Sequence, residues 1–200
     1  NGSNFIDGLN GLMLGYFISI IFIIFYLNLN LSLEIERNLM ISLLAILVFL
    51  FILNINNKLF MGDSGSYVLS LLTGFFLIKI YELNAHISPY FIILLLWYPC
   101  FENLFSIIRK FSLKKSPIAA DNNHLHQLIF IYLKKKLVSK NLDINNISSF
   151  VIIFYNLFIF SISLIDPSNS QLQITLVILN IIIYLFTYFK LFSFRYKIKF

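Results

Sequence analysis

The sequence predicts an all-α polytopic membrane protein with about six transmembrane helices and a cytoplasmic histidine-containing loop. Three observations carry that prediction. Hydrophobic residues make up 59% of the 200 residues and charged residues only 12%, about half the charged share of an ordinary soluble domain. The mean hydropathy is +0.85, too high for a globule that must cover itself with polar surface. The apolar residues are also gathered into six runs separated by polar stretches. These features exclude a soluble single domain, a disordered chain and a disulfide scaffold, the last because Cys100 is the single cysteine.

A bilayer core about 30 Å thick needs roughly 20 apolar residues in a helix. The first run spans about Leu9 to Leu27. The second, Leu39 to Leu53, is short. The third, Ser66 to Ile80, tolerates Lys79 at its end by snorkelling. The fourth, Ile87 to Ile108, has Pro89 near its start and Pro99 inside. The fifth, Phe150 to Ile165, is closed by Asp166 and Pro167, and the sixth covers Leu172 to Phe189. Residues 1–200 read as one membrane domain, with 109–148 as its long polar loop. No signal peptide with a cleavage site is visible ahead of the first run.

The net charge is +6. Its distribution points to membrane orientation, not to nucleic acid. With six spans, thirteen of the 15 Lys and Arg residues fall on the side holding the N-terminus, the 54–65 loop, the 109–148 loop and the C-terminal tail. Only Arg37 and Lys79 fall on the other. The positive-inside rule makes the first side cytoplasmic, so the chain is expected in the inner membrane.

Three polar clusters lie on that side. In Asn4-Phe5-Ile6-Asp7-Gly8-Leu9-Asn10-Gly11, a continuous helix would put Asn4, Asp7 and Gly11 on one face. The alternative is a helix start capped by Ser3 or Asn4, with Gly11 and Gly15 as a packing seam. In Phe60-Met61-Gly62-Asp63-Ser64-Gly65-Ser66, two glycines bend the chain ahead of the third span. Free amides at a helix start suit a phosphate, and a carboxylate beside them suits Mg²⁺; the alternative is an Asp or Ser cap. The third cluster is Ser116-Pro117-Ile118-Ala119-Ala120-Asp121-Asn122-Asn123-His124-Leu125-His126-Gln127. Its histidines share a face only if the segment is extended or looped. The amphipathic stretch that follows, ending in Lys134 to Lys136, is fit to lie on an anionic leaflet. A zinc site would need ligands beyond His124 and His126, and the other His and Cys residues, His86 and Cys100, fall elsewhere. Glu102 and Arg109 lie on nearly the same helical face, as an ion pair, a substrate contact or simple boundary charges.

With these residues in hand, the chain resembles the polyprenyl-phosphate N-acetylhexosamine-1-phosphate transferases, the WecA-like and MraY-like enzymes of glycosyltransferase family 4. Asn4 to Gly11 is similar to the family's Asn-x-x-Asp-Gly-x-Asp/Asn-Gly segment, and Phe60 to Ser66 to its Phe-x-Gly-Asp-x-Gly-Ser loop. The stretch from Pro99 through Arg109, Ser116-Pro117 and Asp121 to His126 resembles its histidine-containing loop. The resemblance covers about residues 1–135 and fits the last two spans only as hydrophobic helices.

The resemblance implies transfer of a sugar-1-phosphate from a UDP-sugar to undecaprenyl or another polyprenyl phosphate, with release of UMP, priming a cell-envelope glycan. It implies Asp63, Asp7, His124 and His126 as catalytic residues and Asp63 as the ligand of Mg²⁺, with Mn²⁺ the alternative ion. It implies Asn4, Asn10, Gly62, Ser64, Glu102, Arg109 and Asp121 as substrate-binding. The partners are then the UDP-sugar, the polyprenyl phosphate and the bilayer, with no nucleic acid. Three features depart from the family pattern. No adjacent pair of aspartates occurs, and the family has roughly twice as many spans, so the chain is expected to be a C-terminal portion awaiting its N-terminal half. Glu102 and Asn10 stand where many members have Asp. The competing reading is a transporter or structural membrane protein with coincidental loop motifs. A transporter places its ionisable residues at mid-membrane, whereas these clusters sit at one boundary.

Overall fold

The computed structural model describes residues 2–31, 35–114, 116, 122–137 and 143–197. They form helices α1 (Gly2–Ile6), α2 (Leu12–Asn30), α3 (Arg37–Ile55), α4 (Gly62–Leu83), α5 (Pro89–Ser112), α6 (Leu125–Lys136), α7 (Ile144–Ser163) and α8 (Ser170–Tyr196). Six of them, α2 to α5 with α7 and α8, are long and apolar enough to cross a membrane. The all-α polytopic fold expected from the apolar runs is therefore present. Polar residues set several helix ends, some of them past those runs, whereas α2 begins only at Leu12, α5 at Pro89, and α7 stops at Ser163. Asp143 accepts the Asn145 and Asn146 amides, so α7 starts at Ile144 and not at Phe150. Asn169 accepts the Leu172 amide at the start of α8. Ser88 accepts the Tyr90 amide and Pro89 fills the first turn of α5. The second span is not short: α3 has 19 residues.

Helix α2 is the centre of the bundle. It is apolar around most of its circumference and mostly buried, as a span surrounded by other helices should be. Helices α3, α4 and α7 pack on it. Its Tyr16 hydroxyl donates to the Leu95 carbonyl of α5 at 2.8 Å. That carbonyl is available because Pro99, four residues on, has no N–H to give it. A proline in the middle of a span is thus accommodated by a neighbouring hydroxyl. On the outside, α3 and α4 expose Leu39, Ile46, Phe49, Val68, Leu71 and Phe75, a face suited to lipid.

The alternating spans gather the connections at two ends. At one, the Ser88 amide donates to Pro167 and the Ser88 and Ser170 hydroxyls meet at 2.8 Å. The other end holds α1, the 7–11 loop, the start of α4, the end of α5, α6 and the start of α7. Helix α6 does not present its apolar side to a leaflet, as its amphipathic pattern suggested. It packs on α7 and α8, burying Leu125, His126 and Leu128 and leaving Lys134 to Lys136 exposed.

Candidate active site

Helix α1 lies against α5 and α4. The Ser70 hydroxyl donates to Ser3 Oγ at 2.7 Å, and Ser3 Oγ donates to the Ser66 carbonyl. The helix ends at Ile6, so Asn4, Asp7 and Gly11 do not share one continuous helical face. The chain breaks there because Gly11 sits at φ 76°, a left-handed conformation that suits glycine. The Gly11 amide is held by Asn54 Oδ1. The packing seam is present: side chains at Gly11 and Gly15 would meet Phe51, Ile55 and Ile153.

The break places Asp7 in a loop that faces the start of α4. Burial pushes the Asp7 carboxyl up to about 6, and the negative charge of Asp63 adds to this, while the Gly62 backbone amide favours the ionised form. Asp63 and Ser64 are exposed in the first turn of α4. Asp63 is not the cap, since Met61 holds that position. Gly62, at φ 61°, leaves open space where a side chain would stand. Asn4 is half-buried, and its carbonyl accepts the Asp7 amide at 3.4 Å.

His124 is the extended residue that starts α6, and His126 lies in the first turn. That junction brings the rings into a parallel stack with centroids 5.6 Å apart, as the looped reading of the segment required. His124 Nδ1 lies 2.9 Å from Glu102 Oε1, which also accepts the Leu125 amide at 3.3 Å. Glu102 is 0% exposed. It is therefore neither a boundary charge nor the partner of Arg109. Arg109 donates to the Asn123 carbonyl and the Tyr188 hydroxyl, each at 2.8 Å, because α8 and the segment before His124 lie on its side of α5. His126 is fully buried, and burial pushes it down to about 4, with Glu102 opposing and His124 adding to the shift. It is neutral at physiological pH. Asp121 lies outside the described residues.

The three clusters meet. Asp7 faces Gly62 and Asp63, Ser3 reaches Ser66, and Gly8 sits directly on the His126 ring. A Cβ at Gly8 would fall 2.5 Å from His126 Nε2, inside any normal contact distance. Gly8→Ala is therefore expected to push the 7–11 loop off the histidine pair and to lower turnover about tenfold or more, since small misplacements at a reacting centre are costly. Unchanged turnover in membranes with normal expression would show that this contact is not used.

Several contributors were not legible in the sequence. Asn54 Nδ2 donates to the Leu59 carbonyl at 2.7 Å while its Oδ1 holds Gly11. The Asn10 amide donates to Asn145 Oδ1 at 2.7 Å and Asn10 Nδ2 to Asn57 Oδ1 at 2.6 Å. Asn10 is thus engaged in joining the 7–11 loop to the α3–α4 loop and to α7. From α8, Arg195 donates to the Asn122 carbonyl and to Asn123 Oδ1, which also accepts from the Tyr196 hydroxyl at 2.9 Å. The last span therefore braces the histidine segment instead of serving only as a hydrophobic helix. Lys110 is buried, with Nζ 6.0 Å from the centre of the Phe5 ring, which packs on His124.

Comparison with known proteins places this geometry. The model of glycosyl transferase family 4 matches residues 1–81, the stretch with both the Asp7 and the Asp63 clusters. A Bacillus subtilis (strain 168) protein named probable undecaprenyl-phosphate N-acetylglucosaminyl 1-phosphate transferase is 34% identical over 189 residues, or 92% of this chain. The chain belongs to glycosyl transferase family 4. A Thermotoga maritima protein named undecaprenyl-phosphate alpha-N-acetylglucosaminyl 1-phosphate transferase is 28% identical over 129 residues, 64% of this chain and 38% of that protein. The chain spans about half the length of the Bacillus relative, 49%. No solved structure matches it.

In this family 4 chain the donor set suits Mg²⁺. That ion takes oxygen ligands and commonly uses one or two carboxylates with substrate phosphates. Asp63 is exposed, and its charge adds to the burial that makes Asp7 hold its proton more tightly. A divalent cation between them would relieve that repulsion. Among the described residues no group of three His, Cys, Asp or Glu side chains is placed to hold a metal, so the remaining ligands would come from phosphate and water.

Proposed function

We propose that this chain carries the nucleotide-sugar and metal part of a site that moves N-acetylhexosamine-1-phosphate from a UDP-sugar to undecaprenyl phosphate, releasing UMP and priming a cell-envelope glycan. The observation that supports this best is the convergence of Asp7, Asp63 and the His124–His126 pair from three separate segments. One substrate is water-soluble and the other is held in lipid, so the reaction belongs at a membrane boundary. Asp63, with Asp7, would hold Mg²⁺, which supplies neutralisation of the diphosphate. Gly62 and Ser64 leave an open turn of α4 for phosphate oxygens. His124 contacts the donor, and Arg109 and Arg195 keep its segment in place. UMP release from UDP-N-acetylhexosamine and undecaprenyl phosphate, in membranes carrying this chain together with the expected N-terminal half, tests the reading. Release that does not depend on the polyprenyl phosphate would refute it.

The site faces the cytoplasm in this proposal, because nearly all Lys and Arg residues lie at its end of the bundle. Single cysteines at positions 57 and 122 on a Cys100→Ser background are expected to react with an impermeant thiol reagent only in inside-out vesicles, and one at position 30 only in right-side-out vesicles. Labelling of positions 122 and 30 from the same side would overturn the orientation.

A further inference from the structure

We infer that Glu102 is a positioning residue that fixes the ring of His124, holding its proton on Nδ1 and leaving Nε2 as the edge available to the substrate. The effect on transfer rests on the function proposed above; the effect on the ring does not.

Glu102 is enclosed in α5, and a carboxylate buried in a membrane bundle is costly unless it is paired and used. Its Oε1 takes two donors, His124 Nδ1 and the Leu125 amide. Oε1 already accepts the Leu125 amide, so it stands as an acceptor toward His124 as well, and the proton between them sits on Nδ1. The neutral ring is then the Nδ1–H tautomer with a free Nε2. Leu125 is the first residue of α6, and its amide has no partner within the helix. One oxygen therefore fixes both the start of α6 and the orientation of the ring that begins it. The His124 side chain keeps 7% of its exposure while Glu102 keeps none. The histidine can meet a ligand, and the carboxylate acts only through it.

The buried Tyr98 and Tyr184 hydroxyls lie close to the carboxylate, while the contacts of Oε1 are with His124 Nδ1 and the Leu125 amide. Glu102 and His124 are 22 residues apart, so the pair exists only once the loop between α5 and α6 has closed.

The experiment uses the full chain labelled with ¹⁵N-histidine in detergent, with His124 assigned from the signal lost in His124→Gln. The wild type is expected to show a protonated Nδ1 and an unprotonated Nε2 at neutral pH, and Glu102→Gln to show a mixture of tautomers. In the UMP-release assay Glu102→Gln is expected to lower kcat about tenfold or more, as loss of an outer partner of a functional histidine typically does, with a smaller change in KM for the UDP-sugar. Glu102→Asp, which keeps the charge, should recover part of that loss. On a His124→Ala background Glu102→Gln should cost less than about twofold, because a residue acting through His124 has nothing left to act on. Fully additive losses, or a wild-type His124 with its proton on Nε2, would overturn the inference. If Glu102→Gln does not fold, the wild-type spectrum and Glu102→Asp still decide. If neither the wild type nor any variant releases UMP with the expected N-terminal half supplied, while the Nδ1–H signal is present and lost in Glu102→Gln, the proposed function fails and the positioning role stands.

Discussion

Asp63→Asn is expected to lower transfer on the order of 10³-fold, the scale on which electrostatic stabilisation is lost in phosphoryl transfer, while the protein still inserts and expresses. The amide keeps the size of the side chain and removes its charge. Asp63 is exposed in the first turn of α4 and does not cap that helix, so the substitution removes no structural contact of its side chain. The charge also acts on Asp7, whose carboxyl it helps to raise to about 6. In Asp63→Asn the Asp7 carboxyl should therefore titrate at lower pH, toward its ordinary range. That shift is measurable by ¹³C NMR of labelled aspartate even in protein without activity. A Mg²⁺ titration separates the two parts of the effect. If Asp63 holds the ion, raising Mg²⁺ recovers part of the transfer; if Asp63 acts on substrate alone, it recovers none. Near-normal transfer at all Mg²⁺ concentrations would remove Asp63 from the site.

The difference between what the sequence disclosed and what it hid has a physical basis. Six spans were legible because lipid demands long apolar runs, and residue type alone satisfies that demand. The ends were less legible because they are set by single hydrogen bonds, such as Asp143 on two amides at α7. Asp7, Asp63 and the two histidines stood out as polar residues in an apolar chain, and the structure brings their segments together. Their mutual arrangement was hidden. Helical spacing pointed Glu102 at Arg109, seven positions on, but the chain returns after α5 and delivers His124 instead. Spacing reports neighbours on one helix and is silent about what a loop brings back. Tyr188, in a span that read as uniformly apolar, and Arg195, read as a charge of the C-terminal tail, were hidden for the same reason. Asn54 was hidden more deeply. In a chain rich in asparagine, nothing marks the one that holds two loops together.

That asparagine carries the second large effect. Asn54 is buried near the end of α3. Its Oδ1 holds the Gly11 amide at the break before α2, and its Nδ2 holds the Leu59 carbonyl in the strand of chain leading to Gly62. One side chain thus sets the distance between the Asp7 loop and the Asp63 turn. Asn54→Leu keeps the volume and leaves both backbone groups without partners. Each buried group left unmade costs about 1–3 kcal/mol, so the variant is expected to lose about 2–6 kcal/mol, seen as a lower thermal midpoint in detergent. Asn54→Asp separates the two bonds. It keeps an acceptor for Gly11 and loses the donor for Leu59, and should fall between the wild type and Asn54→Leu. Transfer should decline in the same order even well below the melting range, because the 7–11 loop then carries Asp7 and Gly8 away from Asp63 and His126. A variant that melts early but turns over normally at low temperature would show that Asn54 supports the fold without setting the site. A variant that melts normally would show that the Gly11 and Leu59 groups find water when Asn54 is gone.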